Sequence, residues 1–277
     1  MKQKIIDIIE QEISEWNRLE EKIPNKDYEN FELKDFDYLA DYYEKYGQEF
    51  ELTKFMDFCA SRVLEELASS VQRRSIWYWE EFNEDFIIPQ FKYLSSLIKS
   101  YLYLKDGKEY KVAFIVIRTF IEVSSQFYSC FLDFEFFKKY LSEGIQDEYR
   151  NHWFKHLKPE KVLSVLRRMN QDLRKEYKKD GEYTLGDLRA FIYPFESEQR
   201  EMLYEILTSY AHGKHDVIIS NLTRDKMNEL NLRITEYIVS SINMLNIASN
   251  HFLDNTNCDT RKHVILQQVW HSIKYKN

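Results

Sequence analysis

The sequence predicts an all-α fold, a multi-helix bundle built around one long, buried central helix. Three observations carry this. The chain has only six Gly and four Pro in 277 residues, and strand-rich folds, which turn often, recruit more of both. Apolar residues recur at spacings of three and four through successive segments, the period of a helix with one buried face. Charged residues make up 31% of the chain, which suits the solvated outer faces of such helices.

Ile5, Ile9, Ile13, Trp16 and Leu19 form the inward stripe of a first helix, ended by Pro24. The acidic stretch 27–51 is dense in aromatics, among them Tyr28, Phe31, Phe36, Tyr38 and Tyr42, and Gly47 closes a helix within it. A second amphipathic helix spans about 53–71, with Phe55, Cys59, Val63 and Leu67 on one side. Ile76-Trp77-Tyr78-Trp79 either plugs the core, the favoured reading, or forms a contact patch. Pro89 belongs in the first turn of a helix reaching Leu104, which Asp106-Gly107 ends. The stretch from Lys108 to Tyr140 reads as one long helix whose first half, apolar nearly all round, is the central one.

Pro159 opens a helix to about Lys178, with Val162, Leu163, Leu166 and Met169 inward and Lys161, Arg167, Arg168, Arg174 and Lys175 on a basic outer face. A helix over about 197–212 follows, with Gly213 in the position of a C-terminal cap. Thr223 or Asp225 caps a long helix to about Phe252, and a last helix covers about 259–275. No repeat, low-complexity segment or linker divides the chain. The expected organisation is an N-terminal helical layer over 1–85, a helical bundle core over 86–254, and a C-terminal helix over 255–277 packed on that core.

A net charge of −7 argues against a protein that holds duplex DNA mainly by its phosphates. The three cysteines, Cys59, Cys130 and Cys258, lie far apart and form no CxxC, so reduced structural thiols and a cytoplasmic location are expected. The first residues interleave apolar side chains with Asp7, Glu10 and Glu12, unlike a secretory signal. The most apolar run, Val112 to Ile117, meets Arg118 after six residues, whereas a membrane span needs about twenty. No membrane association is expected.

Two constellations carry candidate chemistry. Arg118, Glu122, Ser125 and Ser129 are spaced by four, three and four, which puts them on one face of the apolar central helix. Burying an arginine is costly unless it is paired, and Glu122 is one turn away. This is either a buried pair that fixes helix packing, where removing one partner costs roughly 3–5 kcal/mol, or the lining of a pocket that presents Arg118 to an anion or phosphate. Glu205, Ser209 and His212 share one face of the helix ending at Gly213, with Tyr204 and Tyr210 beside them. His212, in the last turn, either bonds local carbonyls or serves as a general acid or base. His152 and His156, four apart, lack the further ligands that a metal site needs, so neither metal nor cofactor is expected. P-loop, GxGxxG, GxSxG and HExxH motifs are absent from the sequence.

Ile117-Arg118-Thr119-Phe120-Ile121-Glu122 is followed some ninety residues later by Tyr204-Glu205-Ile206-Leu207-Thr208-Ser209-Tyr210-Ala211-His212-Gly213. Over about residues 90–254 this resembles the divergent HEPN-like helical proteins of prokaryotic toxin–antitoxin and abortive-infection (antiphage) systems. The resemblance implies a HEPN-like core and a homodimer. Active HEPN ribonucleases carry Arg-x(4–6)-His near a helix end and cleave RNA without a metal. By that likeness, His212 matches the histidine and works in proton transfer. The position six residues before it is Ile206, and no arginine lies between Glu201 and Ala211. Arg118, from another helix, would have to replace the motif's arginine in space.

Two functions follow. The first is a non-catalytic helical binding or regulatory module of a bacterial stress or antiphage defence system, with the acidic, aromatic N-terminal region as a protein contact. The alternative is a metal-independent ribonuclease. There His212 is the general acid or base, Arg118 steadies the phosphate, Glu122 orients it, and Arg167 and Arg168 hold the RNA backbone. Ser125, Ser129, Tyr204, Glu205 and Ser209 complete the expected lining.

Overall fold

A computed structural model describes residues 2–22, 30–47, 49–71, 86–141, 161–168, 171, 193–195, 197–211, 223–252 and 260–275. Among these, the regular structure is entirely helical. In chain order the helices are α1 (Lys2–Glu20), a short 3-10 turn (Leu33–Asp35), α2 (Tyr38–Tyr46), α3 (Leu52–Ser70), α4 (Ile88–Asp106), α5 (Tyr110–Leu132) and α6 (Phe134–Leu141), followed by a helical segment at 161–168. Then come α7 (Glu198–Ala211), α8 (Arg224–Phe252) and α9 (Thr260–Tyr275).

Four helices close a ring around the core. α3 packs on α4, α4 on α5, α5 on α8, and α8 back on α3. The α3–α4 seam is tight because small residues face each other, with the Ser95 hydroxyl donating to the Ser61 carbonyl at 3.1 Å. The expected inward residues of α3 are all there: Phe55, Cys59, Val63 and Leu67 are buried. α4 and α5 form a helical hairpin across Gly107, Lys108 and Glu109, with Pro89 in the first turn of α4 as its sequence requires. Thr223 is the residue that caps α8, its hydroxyl accepting from the Lys226 amide at 3.4 Å. α9 packs on α1, α3 and α8, and the Ser272 hydroxyl donates to Glu12 of α1 at 2.8 Å.

The long helix expected over 108–140 is two helices. Asp133 leaves the helical region (φ −139°, ψ 107°) and its carboxylate accepts from the Phe136 amide at 3.0 Å. It thus caps a new helix, α6, and the chain restarts where the sequence read continuity. The first half of α5 is also buried on one face only, the face that carries Ala113, Phe114 and Ile117. Val112 and Ile115 are 46% and 40% exposed, whereas Phe120, Ile121, Phe127, Cys130 and Phe131 are buried. Leu19, expected inward on α1, is 50% exposed, nearly two turns beyond the Ile5–Ile9–Ile13 stripe.

The aromatics of the acidic N-terminal region belong to the core. Phe31, Phe36, Tyr38 and Tyr42 are buried. The Tyr42 ring sits 5.1–5.8 Å from those of Tyr43, Tyr46, Phe50, Phe55 and Phe58, and such contacts add about 0.5–1.5 kcal/mol each beyond area burial. What that region turns outward is charge, including Glu32, Glu44 and Glu49. Ile76 to Trp79, Gly144, Gly213 and Cys258 lie outside the described residues; Cys59 and Cys130 are buried free thiols. Among the described residues no helix is long and apolar enough to cross a membrane.

Candidate functional site

α7 lies antiparallel against α5. The Phe114 ring meets Tyr210 at a 4.9 Å centroid distance, Arg118 bonds Tyr204 and Thr208, and Tyr128 stacks on Phe195 at 4.4 Å. The apolar stripe of α7 that faces inward contains Leu203, Leu207 and Tyr210. Residues at its flank, Tyr204 and Thr208, therefore look along the surface of α5 at the level of Arg118.

Arg118 and Glu122, one turn apart on α5, meet these two residues in a closed network. The Arg118 Nε donates to the Thr208 hydroxyl at 3.1 Å. A terminal nitrogen donates to the Tyr204 hydroxyl at 3.1 Å and pairs with Glu122 Oε1 at 2.9 Å. The Tyr204 hydroxyl in turn donates to the same Glu122 oxygen. Burial and the Glu122 carboxylate both hold the Tyr204 phenol above its ordinary pKa, against the pull of Arg118, so it stays protonated and keeps donating at neutral pH. The two charged side chains are 25% and 20% exposed. Two guanidinium groups approach the Tyr204 ring, with Arg118 Cζ 5.3 Å and Arg200 Cζ 4.9 Å from its centroid.

The rest of the expected serine stripe turns inward. The Ser125 hydroxyl donates to the Ile121 carbonyl at 2.6 Å and lies 3.3 Å from the Tyr237 hydroxyl of α8. Ser129 donates to the Ser125 carbonyl at 2.8 Å. Both are buried and bonded to their own helix backbone. On α7 the structure places Glu205 on the exposed side and Ser209 half-buried, so neither joins the Arg118 network. Arg167 pairs with Glu201 at 3.1 Å, and Arg168 pairs with Asp133. His212, His152, His156, Arg174 and Lys175 lie outside the described residues. No group of metal-ligating side chains occurs among the described residues.

No family model, curated protein or solved structure matches the chain.

Two residues at the site were not singled out from sequence, Thr208 and Arg200. Both carry a signal. Arg200, Leu203, Leu207 and Tyr210 are spaced three, four and three and are all buried, so an arginine occupies a core position of α7. Arg200, Tyr204 and Thr208 also follow one another at intervals of four. That row, and not the Glu205–Ser209 row one step around the helix, adjoins α5.

Proposed function

We propose that this chain is a non-catalytic helical module that binds a partner and regulates a bacterial stress or antiphage defence system, on the HEPN-like pattern. The observation that carries this reading is the engagement of Arg118. Its guanidinium donates to Thr208 and Tyr204 and pairs with Glu122. A cation that stabilises a phosphate transition state must be aimed at the reacting group and free to receive charge. Arg118 would first have to give up a carboxylate, a phenol and a hydroxyl. Arg167 and Arg168, the expected backbone contacts for RNA, are likewise turned to Glu201 and Asp133. The exposed carboxylates of the N-terminal layer, Glu32, Glu44 and Glu49, offer a basic partner segment a complementary face. A homodimer belongs to the same proposal through the family likeness.

The ribonuclease alternative keeps one observation in its favour: Arg118 and Glu122 retain enough exposure for a phosphate to reach them. Incubating RNA with the purified full-length protein in EDTA separates the two. The module reading expects intact RNA in the presence of a folded wild type. RNA degradation that disappears in a stably folded His212→Ala variant would replace it with the nuclease.

A further inference from the structure

α9 carries no acidic residue, and its first turn runs Arg261-Lys262-His263. Cations in the first turn of a helix oppose its macrodipole, so these three do nothing for α9 itself. The acidic N-terminal layer and α3 receive them. The Arg261 guanidinium lies over Phe31, with Cζ 5.0 Å from the ring centroid. The Lys262 ammonium is 5.3 Å from the centroid of Tyr38, pairs with Asp37 at 2.9 Å and stands 3.8 Å from Glu66. The His263 Nε2 is 3.4 Å from the other Glu66 oxygen. Burial works against the charge on Glu66, but His263 and Lys262 outweigh it and hold its carboxyl below the ordinary value. Two aromatic faces and two carboxylates thus read three successive basic residues.

Beyond this turn α9 packs on α1, α3 and α8, with Ile265, Leu266, Val269 and Trp270 buried. The seam it forms with α3 and α8 is of mixed polarity. The amide side chains of Asn243, Asn246 and Gln267 stand there among Ala60 and Val63. Separable interfaces are more polar than cores in this way. An apolar stripe laid in a groove, with a charged turn that fixes its register, is also how a groove recognises a helix from another chain.

We propose that the face beneath α9 is the docking surface for a partner protein's basic amphipathic helix, kept closed by the chain's own α9. Charge complementarity sets the occupant. Phe31, Asp37, Tyr38 and Glu66 already hold an Arg-Lys-His turn, and Asp37 remains 46% exposed for an incoming cation. This deepens the module reading and rests on it, since the acidic layer that faces a basic partner there is the one that grips α9. The two fail separately. RNA cleavage removes the module reading without touching the release of α9. An α9 that never releases removes this surface from a module that still leaves RNA intact.

Fluorescence anisotropy of a labelled peptide of residues 260–275, titrated with the full-length protein, tests it. The peptide competes with α9, so its apparent affinity scales with the fraction of molecules whose α9 is undocked. Arg261→Glu with Lys262→Glu in the protein's own α9 raises that fraction, and the peptide binds this variant about tenfold more tightly than the wild type. Adding Asp37→Lys and Glu66→Lys abolishes that binding. Equal affinity for wild type and variant, binding by neither, or binding that survives the loss of Asp37 and Glu66 overturns the surface. A peptide that splits a wild-type dimer into monomers shows the occupant to be a second copy's α9 and overturns the separate partner. If the charge-reversed chain does not fold, hydrogen exchange of the wild type decides. The α9 amides exchange at least about tenfold faster than those of α3 and α4, and equal protection contradicts the proposal.

Discussion

Asp57 lies wholly buried inside the four-helix ring, beside the buried Thr235 hydroxyl of α8. Burial pushes its carboxyl up to about 7, against the opposing pulls of Lys105 and the Thr235 hydroxyl, while Glu51 adds to the rise. Lys105 itself is spent on Glu51 at 2.7 Å and Thr53 at 3.2 Å. In the unfolded chain an aspartate loses its proton near pH 4, but in the folded protein it keeps it until about pH 7. Between those values folding takes up a proton, so stability falls as pH rises and levels off above about 7. Asp57→Asn, neutral and of the same shape, should flatten that slope and gain about 3–4 kcal/mol at pH 8, read from urea denaturation at pH 5, 6, 7 and 8. A slope unchanged in the variant would place its origin elsewhere. Arg200 and Asp57 share a history of illegibility. Both occupy positions where the helical period asks for an apolar side chain, and a sequence shows the period more readily than the exception.

The helices themselves were legible where a stripe and a terminator coincide. α3, α4, α7 and α9 fall within about two residues of their sequence-based bounds, because Pro89, Gly107 and Ser197 act locally and need no tertiary partner. Asp133 was not legible. An aspartate inside an apolar run reads as a tolerated polar residue, and only the φ of −139° and the bond from the Phe136 amide reveal it as a cap. Asp133→Ala should cost about 1 kcal/mol in chemical denaturation. The same change should raise hydrogen exchange across Phe134–Leu141 while α5 stays protected. Equal protection of α6 in the variant would mean that packing, not the cap, starts that helix. The exposed Val112 and Ile115 were misread for a related reason. An all-apolar stretch suggests burial on every side, but neighbours cover only the face of α5 that carries Ala113, Phe114 and Ile117, and Tyr237 of α8 and Phe195 pack further along on Phe120 and Tyr128.

Across the whole molecule, α7 is held to the four-helix ring by apolar contact and by the Arg118–Glu122–Tyr204–Thr208 network. Sequence spacing found both halves of that network, Arg118 with Glu122 and Tyr204 with its helix. It could not pair them, since the register of two helices ninety residues apart is set by packing. If this network serves architecture, Arg118 has no catalytic duty and its loss is a loss of stability. A residue kept for chemistry commonly lowers stability, whereas one kept for structure raises it. The most direct measurement is a double-mutant cycle on global unfolding in urea with Arg118→Met, Tyr204→Phe and the pair. Arg118→Met should lose about 2 kcal/mol, with Glu122 left only the Tyr204 hydroxyl, and the double variant should lose about 1 kcal/mol less than the sum of the singles. An Arg118→Met protein as stable as the wild type or more so, with strictly additive effects, would contradict an architectural role for the network.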